Sequence, residues 1–117
     1  MADYDAVREI GRSLPGVVES TSYGTPSLKL DGRRGKMIAR LREDGETLVV
    51  RCPIPEREML IEAEPEVFAV TDHYRNYDCV LINLVAADRE LLDERLTEAW
   101  ALVAPPKLLD ELDRPSR

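Results

Sequence analysis

Residues 21–41 read TSYGTPSLKLDGRRGKMIARL, in which short apolar–polar alternations are separated by a Gly-Thr-Pro break and a glycine-rich turn. Alternation with a period of two predicts β-strands that bury one face, and glycine and proline mark the turns between them. Together with the preceding VVES, the stretch predicts two short strands joined by a turn. A third strand is predicted in KMIARLR.

The residues that follow continue the strand pattern. A further strand, TLVVRC, is joined to KMIARLR by Glu-Asp-Gly-Glu, and Asp44-Gly45 is a strong hairpin signal. Two more strands, VFAV and CVLINLV, flank the polar turn TDHYRNYD. Between these groups we predict one helix over 56–63, because Pro55 suits the first turn of a helix.

Helices are also predicted at both ends of the chain. Near the start, Asp3 is a suitable N-cap, and Val7, Ile10 and Leu14 form one apolar stripe. The last long helix is predicted to begin after Asp88 and to end at two prolines. Its apolar face consists of Leu92, Leu96, Ala99 and Val103, with Trp100 beside them. We expect the tryptophan to be buried between this helix and the sheet.

Length and composition define the class of protein. At 117 residues the chain is predicted to form a single domain, 1–117, with a frayed tail at 109–117. No apolar run approaches the roughly 20 residues of a membrane span, and the acidic start does not resemble a signal peptide. We therefore expect a cytoplasmic protein without a membrane partner, and we expect a monomer. Cys52 and Cys79 are expected to be reduced and buried.

Positive charge is concentrated on one segment of an acidic chain. Residues 29–42 contain six cations and one acid, a net charge of +5, whereas the remainder carries −12 and the whole chain −7. A basic footprint is typical of nucleic-acid binding, but the acidic remainder repels phosphate at longer range. DNA binding by this segment is therefore expected to be weak and salt-sensitive.

Strand alternation predicts where these cations point. In KMIARLR, Met37, Ala39 and Leu41 share one face, and Ile38 lies on the other with the basic residues. The basic face is predicted to carry Lys29, Lys36, Arg40, Arg42 and Arg51, with Arg33 and Arg34 at the adjacent hairpin tip. Two interpretations stay open: a surface that binds an anionic partner, or solvent-facing residues that prevent edge-to-edge aggregation.

A second group of candidate binding residues lies in the polar turn and consists of His73, Tyr74, Arg75 and Tyr77. Tyrosine and arginine stack on bases, and arginine contacts phosphate. In the alternative interpretation the tyrosines pack across the turn, and the arginine pairs with Asp72 or Asp78. Tyr23 and Thr25 are candidate loop or pocket residues, although a tyrosine ahead of a Gly-Thr-Pro turn is also typical of a loop anchor.

The sequence contains no recognisable catalytic or metal-binding set. Nucleophilic catalysis would require Cys52 or Cys79 together with His73, the only histidine. Cys52 lies on the apolar parity of its strand, and His73 and Cys79 lack the paired spacing of a zinc site. The glycines of DGRRG do not open a helix, as those of a phosphate-binding loop do. We therefore predict no catalytic residue, no metal and no cofactor.

Six blocks, in order along residues 14–108, resemble the MmcQ/YjbR family of small bacterial proteins: LPGVVESTSYGTPSLKL, GKMIARL, LVVRCP, EREMLIEAEPEVF, VTDHYRNYDCVLINL and EAWALVAPPKL. The resemblance implies an α+β fold whose antiparallel sheet carries the N- and C-terminal helices on one face, an α-β-α architecture similar to the CyaY/frataxin proteins. It also implies a DNA-binding label, sometimes described as a double-wing module. The sequence departs from the family at NYDCV, where the family tends to have a glycine and then Pro-Trp.

Three functions are consistent with these features. The leading hypothesis is a non-enzymatic DNA-binding module that uses the basic sheet face and the polar turn for phosphate contacts. The alternative is a protein- or small-anion-binding domain without a nucleic-acid role, and an enzyme is the third. A pocket lined by the tyrosines would favour the alternative, whereas one continuous basic surface would favour DNA.

Overall fold

The protein folds as a sheet with helices on one side, and the computed structural model describes residues 2–32 and 36–113. In chain order the elements are α1 (Tyr4–Arg12), β1 (Val17–Ser22), β2 (Thr25–Leu30), β3 (Met37–Leu41), β4 (Thr47–Arg51), α2 (Ile54–Ala63), β5 (Phe68–Ala69), a 3-10 helix (Asp72–Tyr74), β6 (Cys79–Asn83), α3 (Arg89–Val103) and α4 (Pro106–Asp113). The strands form one antiparallel sheet in the order β1-β2-β3-β4-β6-β5. The predicted α+β class is confirmed.

Local capping signals set the starts of two helices and one hairpin. The carboxylate of Asp3 accepts the N–H of Ala6 at 3.1 Å, and that of Asp88 accepts the N–H of Leu91 at 2.8 Å. In the β3–β4 turn, the Asp44 carboxylate accepts two backbone N–H groups and one hydroxyl, and these hydrogen bonds lower its pKa. The two helix starts and the hairpin turn are therefore encoded locally.

The core lies between the sheet and the helices α1 and α3. It is built from the alternating strand residues and the apolar stripes of the helices, which include Val7, Ile10, Leu28, Leu48, Val50, Ile82, Leu92, Leu96 and Trp100. Trp100 is 1% exposed, and its indole Nε1 donates to the carbonyl of Pro15 at 2.8 Å. The predicted burial of this tryptophan is confirmed.

A β-bulge in β3 overturns part of the predicted alternation. Leu28 pairs with Ala39, but the next residue of β2, Lys29, pairs with Met37, so Ile38 is an extra residue. Ile38 and Ala39 are both fully buried in the helix-side core. The prediction that Ile38 lies on the basic face is therefore wrong, and the bulge also takes Lys36 out of phase with the arginines of β3.

Several boundaries differ from those predicted. The strand predicted in VFAV is reduced to the two residues of β5, and α2 begins at Ile54. Residues 109–113, predicted as part of a frayed tail, continue α4. Arg33 and Arg34, predicted at the hairpin tip, lie outside the described residues. In the described part of the chain no helix has both the length and the apolar character needed to cross a membrane.

Candidate functional site

The sheet face opposite the helices carries an open cleft of about 830 Å³. Its floor includes Val49 and Cys79, which form a small apolar cluster with Leu81, and Tyr74 packs against this cluster. Its walls include three arginines, three tyrosines and the histidine: Arg40, Arg42, Arg51, Tyr23, Tyr74, Tyr77 and His73. Residues from strands that are distant in sequence therefore meet at one concave surface.

Arg40 is the structural centre of the cleft. It is 6% exposed, donates to the Thr25 hydroxyl at 3.0 Å and to the Tyr74 hydroxyl at 2.9 Å, and its guanidinium carbon lies 5.3 Å from the Tyr23 ring centroid. A carboxylate oxygen of Glu43 lies 3.6 Å from the Nη1 atom of Arg40. The prediction that Arg40 faces solvent is wrong, because the polar turn that carries Tyr74 folds over this part of β3.

Arg42 and Arg51 keep donors available. The Arg42 guanidinium lies 5.9 Å from the Tyr74 ring centroid, and among the described residues it makes no hydrogen bond or salt bridge. Arg51 donates from Nε to the Met37 carbonyl. This is the one hydrogen bond that its side chain makes to a described residue. Because a guanidinium has five N–H groups, both side chains retain donors that point to no described acceptor.

The polar turn is held in place by Arg57, a residue that sequence reasoning missed. Arg57 projects from α2, is 2% exposed, and donates to four backbone carbonyls, those of Tyr74, Arg75, Tyr77 and Cys79, at 3.0–3.4 Å. An arginine between two glutamates in a helix is typical of a solvent-facing position. No local signal reveals this role, because the acceptors are main-chain groups 17 to 22 residues later.

The side chains of the polar turn divide into two groups. His73 and Tyr77 line the cleft, with the His73 ring 4.7 Å from that of Tyr74 and 6.4 Å from that of Tyr77. Arg75 is not part of the lining and pairs with Asp72 at 3.1 Å. The predicted alternative, in which Arg75 pairs with a neighbouring aspartate, therefore describes this residue, whereas the aromatic residues face the cleft.

The β1–β2 turn supplies one wall of the cleft. Thr25 anchors the turn, because its hydroxyl donates to the Ser22 carbonyl at 3.0 Å and accepts from Arg40. Tyr23 lines the cleft, yet its side chain is 89% exposed. The interpretation of Tyr23 as a loop anchor is therefore wrong, and Thr25 has that role.

The predicted basic face is divided. Lys29 and Lys36 do not line the cleft, although Lys29 pairs with the cleft residue Met37. Arg40, Arg42 and Arg51 converge on it, as described above. Of the five described cations predicted for this face, the three arginines converge on the cleft and the two lysines lie outside it.

The two thiols lie on opposite faces of the sheet. Cys52 belongs to the helix-side core, where its Sγ lies 3.5 Å from the Pro53 carbonyl oxygen and 3.6 Å from a Glu56 carboxylate oxygen, the two acceptors for its one S–H. Burial, reinforced by Glu56, raises the pKa of Cys52 to about 12. Burial also raises the pKa of Cys79 in the cleft floor. Across residues 2–32 and 36–113, His, Cys, Asp and Glu side chains form no group of three that could hold a metal ion.

We predict that Cys52 reacts slowly in the native protein. With a pKa of about 12, only roughly one molecule in ten thousand carries the thiolate near pH 8, and the thiolate is the reactive form. A colorimetric thiol reagent should modify Cys52 slowly under native conditions and rapidly in denaturant, with Cys52→Ser as the assignment control. Rapid native modification of Cys52 would support the enzyme hypothesis.

The fold and the cleft define a small α+β domain with one sheet face under helices and one face open. The family model named YjbR matches residues 12–102, and the chain belongs to this family. Its fold is similar to the crystal structure of Deinococcus radiodurans protein DR2400, a DUF419 domain, with a TM-score of 0.77, 24% identity, and coverage of 98% of this chain and 91% of that one.

Relatives in mycobacteria match a shorter segment. Uncharacterised proteins of Mycobacterium bovis and Mycobacterium tuberculosis are 40% identical to this chain over 50 residues. The match covers 43% of this chain and 39% of the length of each relative. It is the family model over residues 12–102 that confirms the predicted membership of the YjbR family.

Proposed function

We propose that this protein is a non-enzymatic binding module whose open cleft binds a small anionic ligand. One observation carries the proposal: Arg40, Arg42 and Arg51 converge with the aromatic residues Tyr23, His73, Tyr74 and Tyr77 on one concave surface. An arginine fork matches the oxygens of a phosphate or carboxylate, so converging guanidiniums favour such a group.

The three arginines have different roles in this proposal. Arg40 is held in place by Thr25 and Tyr74 and supplies positive potential from beneath the cleft. Arg42 and Arg51 supply the donors, because their remaining N–H groups have no acceptor among the described residues. Glu43 and Asp78 also line the cleft and offset part of its charge, which favours a compact anionic group over a long polyanion.

DNA binding stays a prediction, and the distribution of charge supports it less than a small anion. Duplex binding requires several cations along an accessible surface. Lys29 and Lys36 lie outside the cleft and Arg40 is nearly buried, so few accessible cations are aligned within residues 2–32 and 36–113. With a net charge of −7, any DNA complex should be weak and salt-sensitive.

A binding role is favoured over catalysis by the state of the nucleophiles. The pKa values of both thiols are raised, and Cys52 lies on the far side of the sheet from His73. Cys79 and His73 both line the cleft, but no hydrogen bond joins them in the described structure. The arrangement of thiol, base and orienting group that covalent catalysis needs is therefore lacking among these described residues.

The proposal is tested by titrating methyl phosphate into 15N-labelled protein at low ionic strength and following amide shifts. Arg42→Gln is expected to weaken binding about tenfold, because hydrogen bonds to charged groups contribute about 1.5–3 kcal/mol. Lys36→Gln is the matched control, since it removes the same charge outside the cleft and should change the affinity less than about twofold.

A parallel arm uses duplex DNA at several salt concentrations. If an extended basic surface binds DNA, Lys36→Gln should reduce the salt slope by about one unit, as Arg42→Gln does. Equal effects of the two substitutions would support the DNA hypothesis and contradict a cleft-centred site. An absence of cleft shifts with methyl phosphate would contradict the proposed anion binding.

A further inference from the structure

Resting on the anion site proposed above, we infer that its ligand carries the anionic group on a planar aromatic ring and that Tyr23 recognises this ring. The arginines bind the anionic group of the ligand, whereas this inference concerns the ring that carries that group. It depends on three properties of Tyr23, namely its backbone conformation, its exposure and its position.

The backbone of Tyr23 adopts a conformation that disfavours its own side chain. Its φ is +54°, and it is the one non-glycine residue with positive φ among residues 2–32 and 36–113. Gly24 follows with φ of +81°, so both central residues of this two-residue hairpin turn are left-handed. Asparagine or glycine suits the first position of such a turn, whereas a bulky side chain there is an outlier.

Packing within the folded chain does not account for a tyrosine at this position. The side chain is 89% exposed, more than any other large apolar side chain in the described structure. Its hydroxyl makes no hydrogen bond to a described residue. The guanidinium carbon of Arg40 lies 5.3 Å from the centroid of its ring. Strain that the fold does not require is typical of functional positions.

The position of the ring explains what it can recognise. Tyr23 lines the cleft from the β1–β2 turn, and His73 and Tyr77 line it from the polar turn. Arg40, which lies beside the Tyr23 ring, is held by two hydrogen bonds, so the platform is pre-organised. An exposed tyrosine next to guanidiniums stacks on a planar ring while the guanidiniums hold the attached anion.

The ligand class is therefore an aromatic phosphate or carboxylate. Phenyl phosphate and cyclohexyl phosphate are a suitable pair of probes, since near pH 8 both are dianions of similar size but only phenyl phosphate has a planar ring. We expect the wild type to bind phenyl phosphate about tenfold more tightly, in line with the contribution of one base stacked on an aromatic side chain.

Tyr23→Asn separates recognition from folding. Asparagine tolerates positive φ, so the variant should melt at the same temperature as the wild type or higher. Its preference for phenyl phosphate over cyclohexyl phosphate should fall to less than about twofold, because stacking is lost and the arginines remain. Tyr23→Phe should keep the preference, since the ring is retained.

The outcomes distinguish this inference from the proposed function. If the wild type binds both ring phosphates equally and Arg42→Gln weakens both, anion binding stands and the role of Tyr23 is overturned. The role is also overturned if Tyr23→Asn lowers the melting temperature and keeps the preference, because the tyrosine is then structural. If no phosphate binds the cleft, the inference and the proposed function fail together.

Discussion

Replacing Arg57 by methionine is expected to lower the free energy of unfolding by about 3–5 kcal/mol, as for other substitutions that break a buried hydrogen-bond network. The guanidinium is 2% exposed and satisfies the carbonyls of four residues in the segment 74–79. Methionine fills a similar volume but donates no hydrogen bond. The Tyr74 and Tyr77 carbonyls keep the backbone N–H groups that they also accept, whereas the Arg75 and Cys79 carbonyls lose the Arg57 donor. Each buried acceptor left unpaired costs about 1–3 kcal/mol.

Chemical denaturation of the two proteins measures this loss, and hydrogen exchange locates it. We expect faster exchange at the amides of Tyr74 and Tyr77, because the turn that bears them is no longer held to α2. The control is Glu58→Gln, which removes the exposed carboxylate that pairs with Arg57 at 3.0 Å. It should cost less than about 1 kcal/mol. An unchanged denaturation midpoint for Arg57→Met would contradict the role assigned to this arginine.

Trp100→Ala is expected to destabilise the protein by about 3–5 kcal/mol, the usual cost of removing a large aromatic side chain from a core. Trp100 is the largest fully buried side chain, and it lies among residues of α1, α3 and the sheet. Its Nε1 also donates to the Pro15 carbonyl at 2.8 Å, which links α3 to the turn after α1. The substitution removes both the apolar contacts and this link.

Trp100→Phe separates the two contributions. Phenylalanine keeps most of the apolar area but cannot donate to Pro15, so the hydrogen-bond part of the loss should be about 1 kcal/mol. Thermal or urea unfolding of both variants provides the comparison. A Trp100→Ala protein with a nearly unchanged melting curve would contradict the burial of this side chain in solution.

Elements with local signals were predicted well. Asp3 caps its helix as predicted, the last long helix begins after Asp88 as predicted, and Asp44-Gly45 forms the hairpin turn between β3 and β4. These features depend on residues within three or four positions of one another, so the linear sequence contains the whole interaction. The short β5 and the early start of α2 were missed, because ends of elements depend on contacts with distant segments.

The candidate site was predicted in composition but not in geometry. Tyr23, Arg40, Arg42, Arg51, His73, Tyr74 and Tyr77 were all candidates from the sequence, and all line the cleft. Their accessibility was not predictable, because it depends on how the polar turn folds over β3. Lys29, Lys36 and Arg75 were candidates of the same chemical type, yet they do not line the cleft. Charge and residue type alone therefore did not separate the two groups.

Periodicity and turn chemistry are local properties, so the α+β class, the caps, the hairpins and the burial of Trp100 follow from the sequence alone. Which cations meet depends on tertiary contacts. The bulge at Ile38 shifts the alternation of β3, and Arg57 binds carbonyls up to 22 residues away. Both depend on main-chain groups brought together by folding, and a backbone carbonyl has no signature in the amino-acid sequence.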